Sequence, residues 1–151
     1  MISIHSKAPD FSLEDQFGNI HTLSMYKGKK VLIYFYPKDD TPGCTTEACS
    51  FRDNYEALQS AGLVVLGISK DTVKSHKKFV EKYNLPFPLL SDTETTVAQA
   101  YGVWKNKKFM GREYMGVDRM SFLIDEEGNI AKIYEEVKPA THVGDIRNDV
   151  A

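Results

Sequence analysis

The segment YPKDDTPGCTTEACSFR, residues 36–52, contains both cysteines of the chain, Cys44 and Cys49. It follows the apolar run VLIYFY at 31–36, which is typical of a strand that is buried on both faces. From about residue 45 apolar side chains recur at intervals of three and four, which predicts an amphipathic helix over about residues 45–60. The segment therefore places a thiol, Cys44, at the junction between a buried strand and the first turn of a helix.

The rest of the chain alternates strand and helix patterns, which indicates an α/β protein. Strands are predicted at 31–36, 63–69 and 85–90, helices at 45–60, 73–83 and 92–101, hairpins at 9–29 and 120–134, and a short last helix at 141–151. Residues 103–120 show no regular pattern. A parallel core completed by an antiparallel hairpin is the thioredoxin-like order. We therefore expect a single domain, 1–151, with a thioredoxin-like fold: a central mixed β-sheet flanked by helices, and an N-terminal β-hairpin.

Composition limits the classes of function. The 19 basic and 21 acidic residues give a formal net charge of -2, so no global field attracts nucleic acid or an anionic membrane. The N-terminus does not resemble a signal peptide, and no apolar run has membrane-spanning length. We expect a cytoplasmic protein with no nucleic-acid or membrane partner. In a reducing compartment, two cysteines favour redox chemistry over a permanent disulfide.

The sequence shows no pattern typical of a metal site, a phosphate-binding loop or a serine-nucleophile motif. Two cysteines five residues apart and four scattered histidines do not have the spacing of a zinc site, so we expect no metal and assign the histidines no role. The glycines at 62 and 67 lack the lysine of a phosphate-binding loop, and there is no Gly-x-Ser-x-Gly motif. The cysteines remain as the chemical groups of interest.

Local features favour a reactive Cys44. Thr-Pro-Gly at 41–43 forms a turn before it, and we expect the amides of residues 45–47 to be free donors at the helix N-terminus, where they stabilise a thiolate. The alternative is a small buried hydrophobic residue, which is the commonest role of a free cysteine.

The spacing to Cys49 constrains any disulfide. On an ideal helix five residues give a rise of ~7.5 Å and a rotation of ~140°, so the two Cα atoms lie ~8–9 Å apart. A disulfide needs a Cα separation of about 4.4–6.8 Å. If both cysteines lie on the helix, a Cys44–Cys49 disulfide requires local unwinding, and Cys49 would then be the resolving thiol.

Residues 35–49 resemble the active-site segment of the peroxiredoxins, and specifically of the bacterioferritin-comigratory (PrxQ) subfamily. The family pattern Pro-x-x-x-Thr/Ser-x-x-Cys falls on Pro37, Thr41 and Cys44, and the subfamily's resolving cysteine falls on Cys49. The resemblance extends over nearly the whole chain.

The resemblance implies a thioredoxin-dependent peroxidase, active in antioxidant defence against hydrogen peroxide and organic hydroperoxides. Its Cys44 would become a sulfenic acid, condense with Cys49 to an intramolecular disulfide, and be recycled by thioredoxin or a similar dithiol protein. No metal, haem, flavin or other cofactor is implied. We expect a monomer, with a dimer as the alternative.

The resemblance also implies roles around the thiol. Arg119 occupies the family's active-site arginine position and would donate to the thiolate and the peroxide, Thr41 would hydrogen-bond the peroxide, and Pro37 would shield the site from water. From the residues alone, Arg119 would be a surface ion-pair residue, and only its family position reverses that interpretation; Thr41 could be no more than a turn residue. Glu47 suits the helix dipole but opposes a nearby thiolate, so its role stays open.

The remaining predictions concern the large apolar residues, the last helix and the alternative functions. Trp104, Met110, Met115 and Met120 are interpreted as core or pocket lining. The chain stops nine residues after His142, earlier than in the subfamily, which leaves the packing of the last helix undetermined. The alternative functions are a thioredoxin-like dithiol–disulfide oxidoreductase, whose short redox motif is absent, and a non-enzymatic redox sensor.

Overall fold

A computed structural model describes residues 2–151 of the chain. The strands are β1 (Ser12–Glu14), β2 (Ile20–Thr22), β3 (Lys30–Phe35), β4 (Leu63–Ser69), β5 (Leu89–Ser91), β6 (Trp104–Phe109), β7 (Arg112–Val117), β8 (Met120–Ile124) and β9 (Ile130–Tyr134). The helices are α1 (Pro42–Asp53), α2 (Tyr55–Ser60), α3 (Val73–Tyr83), α4 (Thr96–Ala100) and α5 (His142–Val150), and a short 3-10 turn covers Ser24–Tyr26.

Seven strands form one mixed sheet in the order β2-β1-β5-β4-β3-β8-β9. The central strand β3 runs parallel to β4 and antiparallel to β8. The N-terminal hairpin β1–β2 extends the sheet beyond β5, where Glu14 pairs with Ser91. This arrangement confirms the predicted thioredoxin-like fold with its central mixed sheet and N-terminal hairpin.

The sheet separates two hydrophobic clusters, because successive side chains of a strand point to opposite faces. On β3, Ile33 and Phe35 pack into one cluster, and Leu32 and Tyr34 into the other. The second cluster also receives residues of α1, α3 and α5, including Cys44. Burial of β3 on both faces follows directly from its continuous apolar run.

Some predicted element bounds were wrong. The helix expected over 45–60 begins at Pro42, since proline suits the first helical position, and it is divided at Asn54. The strand expected at 85–90 begins at Leu89, after two prolines that cannot donate to a sheet ladder. The helix expected from residue 92 spans only five residues, and the Asp92 carboxylate instead accepts hydrogen bonds from amides in its first turn.

The region predicted to be irregular, 103–120, forms the hairpin β6–β7 in a sheet of its own. Its turn residues Met110 and Gly111 both have positive φ, 50° and 77°, a conformation usually signalled by Asn-Gly. The interpretation as core or pocket lining is wrong for Met110 and Met115, which are 86% and 46% exposed, whereas Met120 is buried. Lysines at alternate and adjacent positions of β6 concealed the strand pattern.

The last helix, α5, forms as predicted and packs through buried Val143, Ile146 and Val150. It contacts α1 and α2 and belongs to the second cluster, so it lies on the same face of the sheet as Cys44. Within residues 2–151, every helix is too short or too polar to cross a bilayer.

Candidate active site

The loop that leaves β3 delivers Cys44 to the first turn of α1. Thr41 is the N-cap residue with extended backbone angles, φ -100° and ψ 156°, and Pro42 follows at the first helical position. Cys44 is 2% exposed and has a free thiol. The predicted place of this thiol, at a strand-to-helix junction in the first helical turn, is confirmed.

The hydrogen bonds of the backbone amides around Cys44 differ from the prediction. The N–H of Thr45 donates to the carbonyl of Thr41 over 2.8 Å, which makes it the first amide of the helical ladder. The expectation of free amides at 45–47 was therefore wrong, because the helix begins three residues earlier than predicted. The amides that the helix leaves without an intrahelical acceptor are those of Gly43 and Cys44 itself.

Arg119 reaches Cys44 from a position 75 residues later in the chain. The antiparallel register pairs Phe35 with Met120, so the residue before β8 lies at the end of β3 where the loop begins. Nη2 of Arg119 donates to Cys44 Sγ over 3.3 Å. A side chain at Gly43 would come within 3.0 Å of the same Nη2, so the glycine leaves room for the guanidinium. Arg119 is thus part of the thiol site and not a surface ion-pair residue.

Glu47 lies on α1, one turn after Cys44, and contacts the same arginine. Its Oε1 accepts a hydrogen bond of 2.8 Å from Nη1 of Arg119, and its side chain is 0% exposed. Burial raises the pKa of Glu47 to about 7, although Arg119 acts in the opposite direction. Its other oxygen, Oε2, has no hydrogen-bond partner among residues 2–151. The carboxyl group that the sequence left without a role is a buried partner of Arg119.

Arg119 carries its charge in this setting. Burial acts to lower its pKa, but Cys44 and Glu47 together outweigh that effect, and the pKa of Arg119 is raised. A cation that is held between an acid and a thiol can stabilise negative charge on either of them. The arrangement therefore suits a sulfur nucleophile and a leaving group that becomes negative near it.

The remaining predicted residues lie in the loop before α1 and on α1 itself. The hydroxyl of Thr41 donates to the carbonyl of Lys38 over 2.9 Å, within the loop. Pro37 is half-buried at the start of that loop. Cys49 is half-buried on α1 with a free thiol. Both cysteines lie on the continuous helix α1. Because helical spacing holds their Cα atoms too far apart for a disulfide, this helix must unwind before the disulfide forms.

Two of the histidines that were predicted to have no role are buried and have polar partners. His76 contacts Asp39 of the active-site loop over 2.7 Å, and His142 contacts Ser121 of β8 over 2.7 Å. Burial lowers the pKa of His142 to about 4. The available signal was the position of His76 on the apolar face of the helix predicted at 73–83, where a buried histidine needs polar partners.

The sequence matches the model of the AhpC/TSA family over residues 4–133. Peroxiredoxin Bcp of Bacillus subtilis is 51% identical over 144 residues, which cover 95% of this chain and 92% of that protein. The structure of the Xanthomonas campestris bacterioferritin comigratory protein matches with a TM-score of 0.91 and 35% identity, over 99% of this chain and 96% of that one.

A cysteine-to-serine variant of Xylella fastidiosa PrxQ also matches, with a TM-score of 0.94 and 31% identity, over 99% of this chain and 96% of that one. Sequence and fold thus agree over nearly the full length of the chain. The chain belongs to the AhpC/TSA family, among the Bcp/PrxQ peroxiredoxins, and is a thiol-dependent peroxidase.

Proposed function

We propose that Cys44 is the thiol that attacks the peroxide and that Arg119 stabilises the charge of the reaction. The observation that carries this proposal is the 3.3 Å contact between Arg119 Nη2 and Cys44 Sγ in a buried site. A guanidinium offers several donors in a fixed plane, so it can contact the thiolate and a peroxide oxygen together. Charge stabilisation by a preorganised donor is a large contribution to catalysis when water is excluded.

In the first step, the Cys44 thiolate attacks one peroxide oxygen and an S–O bond forms as the O–O bond breaks. The sulfur is oxidised to a sulfenic acid, and the peroxide is reduced to water or an alcohol, which takes up a proton as it leaves. The hydroxyl of Thr41, at the N-cap of α1 and three residues before Cys44, would turn from the Lys38 carbonyl to the peroxide. Pro37 limits the access of water.

In the second step, Cys49 attacks the sulfenic acid of Cys44, water leaves, and a disulfide forms within the chain. Because both cysteines lie on α1, the start of this helix unwinds before the sulfur atoms meet. Both thiols come from one chain, so a monomer can complete the cycle. Two free thiols also suit a reducing compartment such as the cytoplasm.

A dithiol protein such as thioredoxin then reduces the disulfide by thiol–disulfide exchange. The X. campestris relative is described by its alkyl peroxide reduction activity, and we extend this substrate class, together with hydrogen peroxide, to the present chain. No metal or organic cofactor enters these steps, because the sulfur atoms carry the electrons.

The proposal is tested by mass spectrometry of the reduced protein after one equivalent of hydrogen peroxide. We expect the loss of two hydrogen atoms and a peptide pair that links Cys44 to Cys49. In Cys49→Ser the expected product is instead a Cys44 sulfenic acid, trapped by a dimedone-type reagent. Oxidation that leaves Cys44 unmodified would refute its role.

A further inference from the structure

A buried polar network lies beside the active-site loop and has no part in the steps above. The Asp39 carboxylate accepts hydrogen bonds from the Tyr36 hydroxyl over 2.6 Å and the Ser75 hydroxyl over 2.8 Å, and contacts Nδ1 of His76 over 2.7 Å. The Asp39 amide donates to Asp71 over 2.8 Å. The side chains of His76 and Asp39 are 0% and 4% exposed.

The hydrogen bonds of His76 fix where its protons are. Its Nε2 lies 3.0 Å from the carbonyl oxygen of Leu90, which can only accept, so Nε2 carries a proton. Its Nδ1 faces a carboxylate oxygen that already accepts from Ser75, so this contact also needs a proton. Since Asp39 receives donors on both oxygens, the ionised carboxylate is the favoured form. The pair is therefore an imidazolium facing a carboxylate.

The network holds the loop on α3, a different helix from the one that carries Cys44. His76 and Ser75 belong to α3, which also binds the next loop residue: Asp40 accepts from Lys82 Nζ over 2.8 Å and from the Tyr83 hydroxyl over 3.0 Å. Asp40 has a positive φ of 55°, a backbone conformation that aspartate tolerates better than most residues.

Two successive loop residues, Asp39 and Asp40, are thus anchored on α3, immediately before the N-cap residue Thr41. When the start of α1 unwinds, the loop before it can keep its position, because none of these anchors lies on α1.

We propose that the His76–Asp39 ion pair is a positioning device that fixes the active-site loop on α3, so that Thr41 and Pro37 keep their places beside Cys44. The other charged or titratable groups that face the pair are Tyr36, the residue after β3, and Asp71 from the β4–α3 connection. His76 acts through Asp39 and touches no reacting atom. The inference rests on the proposed role of Cys44 as the peroxide-reactive thiol.

The ion pair is tested by nitrogen NMR of the full chain in its reduced state. At neutral pH we expect both ring nitrogens of His76 to be protonated, with Nδ1 in the range of a charged imidazolium. In Asp39→Asn the amide can donate to Nδ1, so we expect His76 to keep a proton only on Nε2. A neutral ring in the unmodified protein, or an unchanged ring in Asp39→Asn, would overturn the ion pair.

The positioning role is tested by two matched variants, His76→Asn and His76→Gln. The asparagine amide is the same number of bonds from Cα as Nδ1 and keeps a donor for Asp39, whereas the glutamine amide corresponds to Nε2 and keeps a donor for Leu90. We expect the rate of Cys44 oxidation by hydrogen peroxide to fall about 10- to 100-fold in His76→Gln and only about 3-fold in His76→Asn, because small displacements of positioning groups have large effects on rate.

A matched control is His21, which contacts Asp15 over 2.7 Å and Tyr26 over 2.6 Å near the edge of the sheet. His21→Gln should leave the rate of Cys44 oxidation unchanged. Equal rates in both His76 variants, or a slower His76→Asn, would overturn positioning through Asp39. If Cys44 of the unmodified protein does not react, the proposed function fails instead. Should the His76 variants not fold, Asp39→Asn replaces them in the rate assay, and a rate of Cys44 oxidation equal to that of the unmodified protein would overturn the positioning role.

Discussion

Cys44 and Cys49 are two identical side chains on the same helix, five residues apart, yet their surroundings differ. Cys44 is 2% exposed, contacts Arg119 over 3.3 Å, and lies one helical turn from the buried Glu47. Cys49 is half-buried, and the cation nearest to it in sequence, Arg52, pairs with its exposed neighbour Asp53. The first thiol is buried in contact with a cation, whereas the second is only partly buried.

This difference suggests a division of labour between the two thiols. A nucleophile for a small peroxide gains from a closed, preorganised site, because its charge-stabilising groups act more strongly when water is excluded. A resolving thiol must move towards its partner, so it gains from few constraints. The following changes test this contrast, beginning with the largest expected effect.

Replacing Cys44 with serine should abolish peroxide turnover. A serine hydroxyl is not ionised at neutral pH and cannot form the sulfenic acid, so peroxide consumption in the presence of a thioredoxin system should fall to the uncatalysed level. The folded state should remain, as judged by circular dichroism. Turnover that persists in Cys44→Ser would refute the assignment of this thiol.

Replacing Cys49 with serine should separate the two steps. We expect one rapid oxidation of Cys44, within about twofold of the unmodified protein, since Cys49 makes no part of the charged cluster around Sγ. Continued cycling with thioredoxin should be lost. Stopped-flow fluorescence gives the first rate and coupled NADPH consumption the second. Full cycling in Cys49→Ser would mean that the reductant attacks Cys44 directly.

Arg119→Met should slow the oxidation of Cys44 by about 10²- to 10³-fold, which is the usual effect of losing one charge-stabilising donor. Arg119→Lys should recover part of the rate, because it keeps the charge but not the planar set of donors. The matched control is Arg52→Met, beside Cys49, which should leave the oxidation rate of Cys44 within about twofold. A similar loss in both variants would mean that net charge and not local contact controls the thiol.

Glu47→Gln should change the pH dependence of stability. The pKa of Glu47 rises from its ordinary 4.5 to about 7 on folding. Between pH 4.5 and 7 the folded chain therefore binds a proton that the unfolded chain does not. The stability that this proton confers is present below pH 4.5 and is lost as the pH rises through 7. Relative to Glu47→Gln, the unmodified protein should therefore lose on the order of 3 kcal/mol of unfolding free energy between pH 4.5 and 8.

Urea unfolding at several pH values measures this difference. The control is Glu56→Gln, at an exposed carboxylate in the first turn of α2, which should not reproduce this loss between pH 4.5 and 8. A Glu47→Gln variant whose stability runs parallel to that of the unmodified protein would show that Glu47 stays ionised when buried.

Local pattern predicted the elements that depend on local interactions. The continuous apolar run of β3, the periodicity of α3 and the turn between β8 and β9 each contain their own signal, and the structure confirms them. The hairpin β6–β7 was missed because lysines replace the usual alternation and because Met110, not asparagine or glycine, occupies a turn position with positive φ.

The sequence by itself determined that a thiol stands at a strand-to-helix junction and that its partner thiol is five residues away. It also determined that the two cannot bond on an intact helix, because helix geometry depends only on residue spacing. The roles implied for Arg119 and Thr41 came from resemblance, since nothing in their own neighbourhoods distinguishes them.

Only the tertiary structure decided how the thiol is surrounded. The pairing of Phe35 with Met120 brings Arg119 to Cys44, the closing of α1 over the sheet buries Glu47, and the packing of α3 places His76 against Asp39. Strand register or helix packing brings the residues of each contact together. Local periodicity encodes neither the register nor the packing. The reactive group could thus be found from a short segment, whereas the charges that control it required the whole fold.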